Sequence, residues 1–290
     1  MILVTGAGGT VGSEVVNELQ SANAPFRAGY FSKGKAESAT ARGIDAIIID
    51  FNHPETVRAA LQGIDKLFLV APSVLNQTQL ELNVVEAARA LGVRHIVKLS
   101  VWRADEEAFV FAKVHRPVEK AIMSSGIAWT FLRPNGFMQD IVTFMGDTIR
   151  SEGVFYSATD DARISHVDVR DIAAVAGKAL TESGHEGKVY TLSGPVALTY
   201  TEMALELSKV LGRQISHINL SPSDLKSGML AAGVPEEYAD WLLDLERYYR
   251  EAQASRITND IQLVTGRAPR RFAQYARDCA SLLQQTQAAS

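Results

Sequence analysis

The amino-acid sequence predicts an α/β protein with a doubly wound parallel sheet, followed by a smaller and mostly helical C-terminal part. Three observations lead to this prediction. Short, apolar, β-branched runs alternate six times with stretches of helical periodicity. Glycines mark the ends of several helical stretches, so the connections between elements are short. Such regular alternation is typical of a parallel sheet with helices on both faces.

The predicted elements of the first part follow in chain order. The third strand is apolar almost throughout, as expected for a strand whose sheet is covered on both faces. Strands are expected at residues 2–5, 26–31, 44–50, 66–70, 95–99 and 128–132. Helices are expected to begin near Val11 and Pro54 and to cover residues 35–42, 77–91 and 112–125.

The regular alternation of strands and helices ends after residue 133. We therefore expect a cofactor domain at residues 1–133 and a substrate-covering domain at 134–290, with part of 164–195 returning to the main sheet. Strands are predicted there at 154–156, 164–167 and 188–192, and helices at 137–149, 168–180, 200–211, 222–232, 235–251 and 269–283. An apolar stripe in this part is predicted to face the core, and consists of Trp241, Leu242, Leu245, Tyr248 and Tyr249.

Composition excludes several classes of protein. The 290 residues carry a net charge of −4, which argues against a nucleic-acid partner. The single cysteine, Cys279, excludes an intramolecular disulfide and a cysteine-ligated metal, and the histidines lack metal-ligand spacing. No apolar run is long enough to span a bilayer, and a strand-like run starts directly after Met1. We expect a cytoplasmic monomer or homodimer without a metal, acting on a small molecule.

The loop after the first strand carries the strongest functional signal. Gly6, Gly9 and Gly12 are spaced three apart between a strand and a helix, which predicts a Rossmann-type dinucleotide site. Thr10 and Val11 lie in the same loop and are predicted to contact the cofactor. Val11 stands where the G-x-G-x-x-G form requires glycine. The alternative is a tight turn without a ligand.

The end of the second strand indicates which cofactor binds. An acidic residue there would bind the ribose 2′-hydroxyl of NAD, but this stretch contains Ser32, Lys33 and Lys35 and no acid. A hydroxyl and two lysines suit a 2′-phosphate, so NADP(H) is expected as the preferred cofactor and NAD(H) as the second choice. The alternative is a solvated turn.

Several motifs together resemble those of one family. The sequence resembles the NmrA-like branch of the atypical short-chain dehydrogenase/reductases, and in particular its quinone-oxidoreductase and triphenylmethane-reductase members. The resemblance covers nearly the whole chain, and the order of the motifs carries it. They are T-G-x-x-G-x-x-G at 5–12, D-F at 50–51, G-I-A-W-T-F-L-R-P at 126–134, G-F-M at 136–138, D-V-R-D-I-A at 168–173 and V-T-G-R-A-P-R at 264–270.

The resemblance implies where the cofactor lies. Asp50 and Phe51 would lie near the adenine of NADP(H). Ala71 and Pro72 would line the cofactor after the fourth strand. The family often has an arginine where this chain has Phe31. Selectivity for the 2′-phosphate of NADP(H) would therefore depend on Ser32 and Lys33, which would take over the role of that arginine.

The catalytic chemistry is less conventional. None of the 8 tyrosines is followed four residues later by lysine, which disfavours a tyrosine-based ketone reductase. Hydride transfer to a quinone, an imine or a dye cation does not need that acid. His115 is the best candidate acid, because a histidine with an ordinary pKa donates protons near neutral pH, and Glu119 is expected to orient it. The alternative is an ion pair on a helix face.

Residues near the sheet edge complete the candidate site. Ser100 follows the fifth strand and is predicted to bond the nicotinamide or the substrate, or alternatively to cap the strand. Asn135 is expected to touch the nicotinamide. The predicted substrate pocket consists of Trp102, Phe137, Met138 and Tyr156, with core packing as the alternative for each.

These observations favour an NAD(P)H-dependent reductase that transfers hydride to a small planar acceptor such as a quinone. The resemblance also allows a non-catalytic NADP(H)-sensing regulator of the NmrA type. A third reading is an epimerase or isomerase that uses tightly bound cofactor.

Overall fold

Seven parallel strands form the central sheet in a computed structural model that describes residues 1–284. They are β1 (Ile2–Val4), β2 (Phe26–Tyr30), β3 (Ala46–Ile48), β4 (Lys66–Leu69), β5 (His95–Leu99), β6 (Ala128–Pro134) and β8 (Lys188–Leu192). Their spatial order is β3-β2-β1-β4-β5-β6-β8, so the chain reverses direction across the sheet between β1 and β4. This arrangement confirms the predicted doubly wound α/β fold.

Helices cover both faces of the sheet. One face packs on α1 (Thr10–Ser21), α2 (Lys33–Ala41) and α8 (Val169–Thr181). The other packs on α3 (Pro54–Leu61), α4 (Gln77–Ala90) and α5 (Val110–Ser124). The residues of strand β1 are all apolar because both faces of the strand are buried. Ile2 and Val4 enter one core, and Leu3 enters the other. Strand β3 lies at the sheet edge instead, and its Ile48 is 43% exposed.

The remaining elements form a cover over the carboxyl ends of the strands. A third core unites them with the loop that follows β5, through Trp102, Phe155, Tyr200 and Tyr248. Strands β7 (Val154–Ser157) and β9 (Ser216–Asn219) pair in a small parallel sheet. The helices of this part are α6 (Asp140–Thr143), α7 (Gly146–Glu152), α9 (Tyr200–Leu211), α10 (Pro222–Ala231), α11 (Glu236–Arg250), α12 (Asp260–Thr265), α13 (Phe272–Asp278) and α14 (Ala280–Gln284).

The cover differs from the sequence-based expectation in several elements. Residues 164–167 form isolated bridges instead of a strand, with Ile164 opposite Leu198 and Val167 opposite Phe137. The predicted helix 269–283 begins only at Phe272, because the backbone N–H of Arg270 donates to Asp171 and holds the preceding residues extended. The predicted helix 137–149 divides into α6 and α7.

The later chain contributes one strand to the main sheet. Strand β8 pairs in parallel with β6, in register from Thr130 opposite Lys188 to Pro134 opposite Leu192. The division into domains at residue 133 stays a prediction. Among the described helices, none combines the length and the apolar character needed to cross a bilayer.

Candidate active site

A cavity of about 870 Å³ lies between the carboxyl ends of the strands and the cover. It runs from the loop after β1, past the ends of β2, β4, β5 and β6, to helix α11. Open α/β sheets bind ligands at this edge, next to the point where the strand order reverses. Most of the residues predicted to bind the cofactor line it: Gly6, Gly9, Thr10, Val11, Gly12, Ser32, Asp50, Phe51, Ala71, Pro72 and Asn135.

The glycine loop can take its shape only with glycine at two positions. Gly6 has a φ of +59°, in the left-handed region that disfavours side chains. A Cβ on Gly12 would lie 2.1 Å from the carbonyl oxygen of Gly6, so the first turn of α1 packs directly on the loop backbone. The two glycines therefore keep the loop compact beside the cavity.

Helix α1 presents an open N-terminus to this cavity. Its N-cap is Gly9, which has no side-chain oxygen to bond the first N–H groups, and its first turn has no acidic residue. The unpaired N–H groups and the positive end of the helix dipole attract an anion. The loop and helix therefore fit the pyrophosphate of a dinucleotide.

The N-terminus of α2 forms the next part of the cavity wall. The hydroxyl of Ser32 accepts a hydrogen bond from the backbone N–H of Lys35, and the Lys35 ammonium donates to the carbonyl of Gly8 at 2.9 Å. Phe31 also lines the cavity although it is 77% exposed. Lys33 does not line it, and its ammonium lies 3.8 Å from Glu37. The structure thus brings Ser32 and Lys35 to the cavity and leaves Lys33 outside.

His115 lies in the cavity wall on α5, in contact with a fully buried ion pair. The Lys98 ammonium, on β5, lies 2.8 and 2.7 Å from the two carboxylate oxygens of Glu81, on α4. Both of these side chains are completely buried. The same ammonium lies 3.1 Å from Nδ1 of His115. Gln77, also on α4, has its Nε2 at 3.4 Å from Nε2 of His115.

This environment changes the expected acid–base behaviour of the site. Burial, together with repulsion by the Lys98 cation, holds the pKa of His115 well below its usual range. Burial also raises the pKa of Glu81, against the attraction and hydrogen bonds of Lys98. The expectation of an ordinary histidine pKa is therefore wrong, and the imidazole stays neutral even at the usual histidine pKa of about 6.5.

The expectation that Glu119 orients His115 is also wrong. The fully buried Glu119 carboxylate turns to the Arg133 guanidinium, with contacts of 3.0 and 2.7 Å, and also accepts a bond from Arg116. A buried carboxylate needs such cations, which outweigh a neutral imidazole. Ser100 donates its hydroxyl hydrogen to Glu119 at 2.7 Å. Ser100 lines the cavity and retains only its lone pairs for a ligand.

Two of the four predicted pocket residues line the cavity. They are Trp102, whose indole N–H donates to the carbonyl of Gln253, and Phe137. Met138 is 1% exposed and packs within the core of the cover. Tyr156 lies on β7 and its hydroxyl donates to Glu152. Tyr156 does not reach the cavity because β7 belongs to the small sheet of the cover, and Met138 does not because it is enclosed by the apolar core.

Other aromatic residues replace them. Phe109 stacks on Tyr248 with ring centroids 4.4 Å apart, and Phe111 contacts Trp241 edge-on at 5.7 Å. The cavity lining includes Phe109, Phe111, Leu245, Tyr248 and Tyr249. The apolar stripe on α11 was the sequence signal for the last three, but its expected role was core packing. Buried core and cavity wall give the same periodicity in a sequence.

Two polar groups lie where β6 enters the cover. Asn135 donates to Ser165 and to the carbonyl of Ala254 at 2.9 and 2.8 Å, so both its N–H groups bind protein. Asp140 lines the cavity, and burial raises the pKa of its carboxyl to about 7, against a weaker effect of the Phe137 N–H.

No cluster of three or more metal-binding side chains occurs among residues 1–284.

Comparisons with known proteins match this architecture over nearly its full length. A sequence model of the NmrA-like family matches residues 1–276. An NAD(P)H azoreductase from Xenophilus azovorans is 37% identical over 278 residues, which are 96% of this chain and 97% of that protein. An NADPH-dependent quinone oxidoreductase from Escherichia coli, solved with NADPH, has a TM-score of 0.87 and 31% identity, covering 96% of this chain and 99% of the other. The Citrobacter sp. triphenylmethane reductase, solved with NADP(H), has a TM-score of 0.86 and 29% identity, covering 97% and 100%.

Proposed function

The chain belongs to the NmrA-like family, as its motifs predicted, and we propose that it transfers hydride from NADPH to a planar, electron-poor acceptor such as a quinone. Its broader class is an NAD(P)H-dependent oxidoreductase. The observation that carries the proposal is one continuous cavity that joins the glycine loop to His115 and to a wall of aromatic side chains. A protein that only sensed the cofactor would not need such a wall.

The cofactor is NADP(H). The N–H groups at Thr10 and Val11, in the first turn of α1, would hold the pyrophosphate, and Ser32 with Lys35 would bind the 2′-phosphate. Asp50 and Phe51 would flank the adenine, and Ala71 and Pro72 would line the chain toward the nicotinamide. When bound, the cofactor supplies a hydride. The lone pairs of Ser100, and the one left on the Asn135 amide oxygen that accepts from the Gly136 N–H, would accept from the carboxamide of the nicotinamide.

The acceptor end of the cavity suits a flat aromatic molecule. Trp102, Phe109, Phe137 and Tyr248 offer ring surfaces that exclude water and favour stacking. His115 lies on the same cavity, with a neutral imidazole that can donate a hydrogen bond to a carbonyl oxygen. Reduction of a quinone needs one hydride and one proton, so His115 is the proposed catalytic acid.

A steady-state assay distinguishes this proposal from the regulator reading. NADPH oxidation is followed with a panel of quinones and azo compounds, while cofactor binding is measured separately by fluorescence. We expect oxidation of NADPH that depends on the quinone and forms the hydroquinone in equal amount. Micromolar cofactor binding without turnover of any acceptor would contradict the proposal and favour a sensor. A cofactor that stays bound through purification and is regenerated in each cycle would favour an epimerase.

A further inference from the structure

The buried ion pair behind His115 has no part in the chemistry described so far. We propose that Lys98 is a positioning residue that fixes the proton of His115 on Nε2 and acts as its proton reservoir. This inference rests on the proposed function and deepens it, because it states how a neutral histidine donates a proton. A buried ion pair is weak evidence for stability, since apolar residues of similar size often serve as well. Its place against a cavity histidine indicates a different purpose.

The neighbours of the Lys98 ammonium determine the tautomer of His115. An ammonium group has three N–H donors and no acceptor. It lies near four acceptor atoms: the two Glu81 oxygens at 2.8 and 2.7 Å, the carbonyl of Leu99 at 3.1 Å and Nδ1 of His115 at 3.1 Å. Because the ammonium cannot accept a hydrogen bond, an Nδ1–H would have no acceptor there. Nδ1 must therefore accept, so the proton of the neutral ring lies on Nε2.

Gln77 does not compete for this proton. Its amide nitrogen donates to the Glu81 carboxylate, whose pKa it lowers, and lies 3.4 Å from Nε2 of His115. At this distance the contact with Nε2 is weak, so the ring proton stays available to an acceptor in the cavity.

The charged groups that face His115 come from two neighbouring elements. Lys98 approaches from β5, and the nearer Glu81 oxygen, from α4, lies 4.0 Å from Nδ1. On α5, the helix of His115 itself, Arg116 and Glu119 form a hydrogen bond with each other, and Glu119 also accepts one from Arg133. The Lys98 cation therefore opposes a second proton on the ring.

The proposed step moves two protons through His115. As hydride reaches the quinone, the Nε2–H of His115 gives its proton to the quinone oxygen, and Lys98 passes a proton to Nδ1. The ring stays neutral, Lys98 becomes an amine and the quinone becomes a hydroquinone. After the product leaves, a proton from the solvent, relayed by water that enters the cavity, returns to Nε2, and Nδ1 returns its proton to Lys98. Without Lys98, the same donation would leave a costly imidazolate.

Nitrogen NMR of the protein without cofactor tests the tautomer directly. The protein is labelled with ¹⁵N-histidine, and the His115 signals are assigned by their absence in His115→Asn. We expect a neutral Nε2–H ring throughout the neutral pH range. In Glu81→Leu/Lys98→Met, which removes both buried charges together, we expect a mixture of tautomers and a titration closer to neutral pH. An Nδ1–H ring in the wild type, or unchanged signals in the double variant, would overturn the inference.

Two acceptors with different proton needs test the reservoir. A quinone needs a proton with its hydride, whereas a triphenylmethane dye cation becomes neutral on receiving hydride alone. At fixed neutral pH, the double variant should lose roughly 10²-fold in quinone turnover, as expected for a missing general acid, and keep its dye turnover. Lys113→Met, an exposed change on the same helix, should affect neither. An equal loss with both acceptors, or with neither, would overturn the inference.

The outcomes also separate this inference from the proposed function. If the wild type reduces neither acceptor, the proposed function fails, while the NMR result still decides the tautomer. If the double variant does not fold, the wild-type spectrum alone decides it. A fixed pH is used in the kinetics because Asp140, in the same cavity, titrates with a pKa of about 7.

Discussion

At the scale of single residues, Gly12 matters because of the space beside it. A Cβ at this position would lie 2.1 Å from the carbonyl oxygen of Gly6, whereas one at Gly34 in α2 would meet nothing within 4 Å. We expect Gly12→Ala to displace the loop and weaken NADPH binding by more than roughly tenfold, which corresponds to ~1.4 kcal/mol. Binding is measured by fluorescence titration and stability by urea unfolding.

The matched control is Gly34→Ala. It removes a flexible helical glycine without a clash, so it should leave binding unchanged and stabilise the fold by about 0.5–1 kcal/mol. Equal effects of the two substitutions would show that the backbone contact at Gly12 does not position the cofactor loop.

The residues of the site differ in how well the sequence predicts them. The glycines and His115 lie in local patterns, so spacing and context were sufficient to single them out. Lys98 and Glu81 had no such signal. Lys98 is a single charge in an apolar strand, Glu81 is a charge on a helix 17 residues earlier, and the two pair only in the folded chain. The neutral state of His115 depends on its burial and on the nearby Lys98 cation, both of which arise only in the folded chain, so the sequence could not predict it.

At the scale of elements, α11 packs against the rest of the cover through a buried carboxyl group whose pKa is raised. Glu246 accepts a hydrogen bond from the backbone N–H of Ala158 at 2.8 Å. Burial raises its pKa to about 7, against the effects of that bond and of Arg250. Because the folded-state pKa exceeds the unfolded one, the stability that this group contributes is complete in acid and is lost as pH rises through about 7.

Glu246→Gln is therefore expected to gain stability relative to the wild type as pH rises. Glutamine keeps the acceptor for Ala158 but does not ionise. Between pH ~4 and ~8, the difference in the free energy of unfolding should shift in favour of the variant by on the order of 3 kcal/mol. Denaturant unfolding at a series of pH values measures it. The exposed Glu237→Gln on the same helix is the control, and a pH-independent difference for Glu246→Gln would contradict the account.

The elements of the main sheet were easier to predict than those of the cover. In the main sheet, the bounds of β5 and β8 agree with the sequence periodicity, since short apolar strands have a distinct pattern. In the cover, the amphipathic helix α9 agrees as well. Residues 164–167 have a strand-like pattern but pair with separate segments on either side, a tertiary arrangement that periodicity does not reveal. Strand β9 and helix α12 are short and were missed for the same reason.

At the scale of the whole molecule, one cavity connects the two halves of the chain. The glycine loop and Ser32 come from the first half, while Leu245, Tyr248 and Tyr249 of α11 come from the last fifth. The position of the sheet edge followed from the predicted topology. The identity of the aromatic wall did not, because the loop after β5 and helix α11 meet only through the packing of the cover.

The proposed function depends on one step, the transfer of hydride from NADPH to an acceptor inside this cavity. A single-turnover experiment detects that step: the protein saturated with NADPH is mixed with a quinone in a stopped-flow instrument, and the nicotinamide absorbance is followed. We predict the loss of one equivalent of NADPH per site, slowed when the transferred hydrogen is deuterium. Retention of the full absorbance, with NADPH still bound and quinone in excess, would contradict the account.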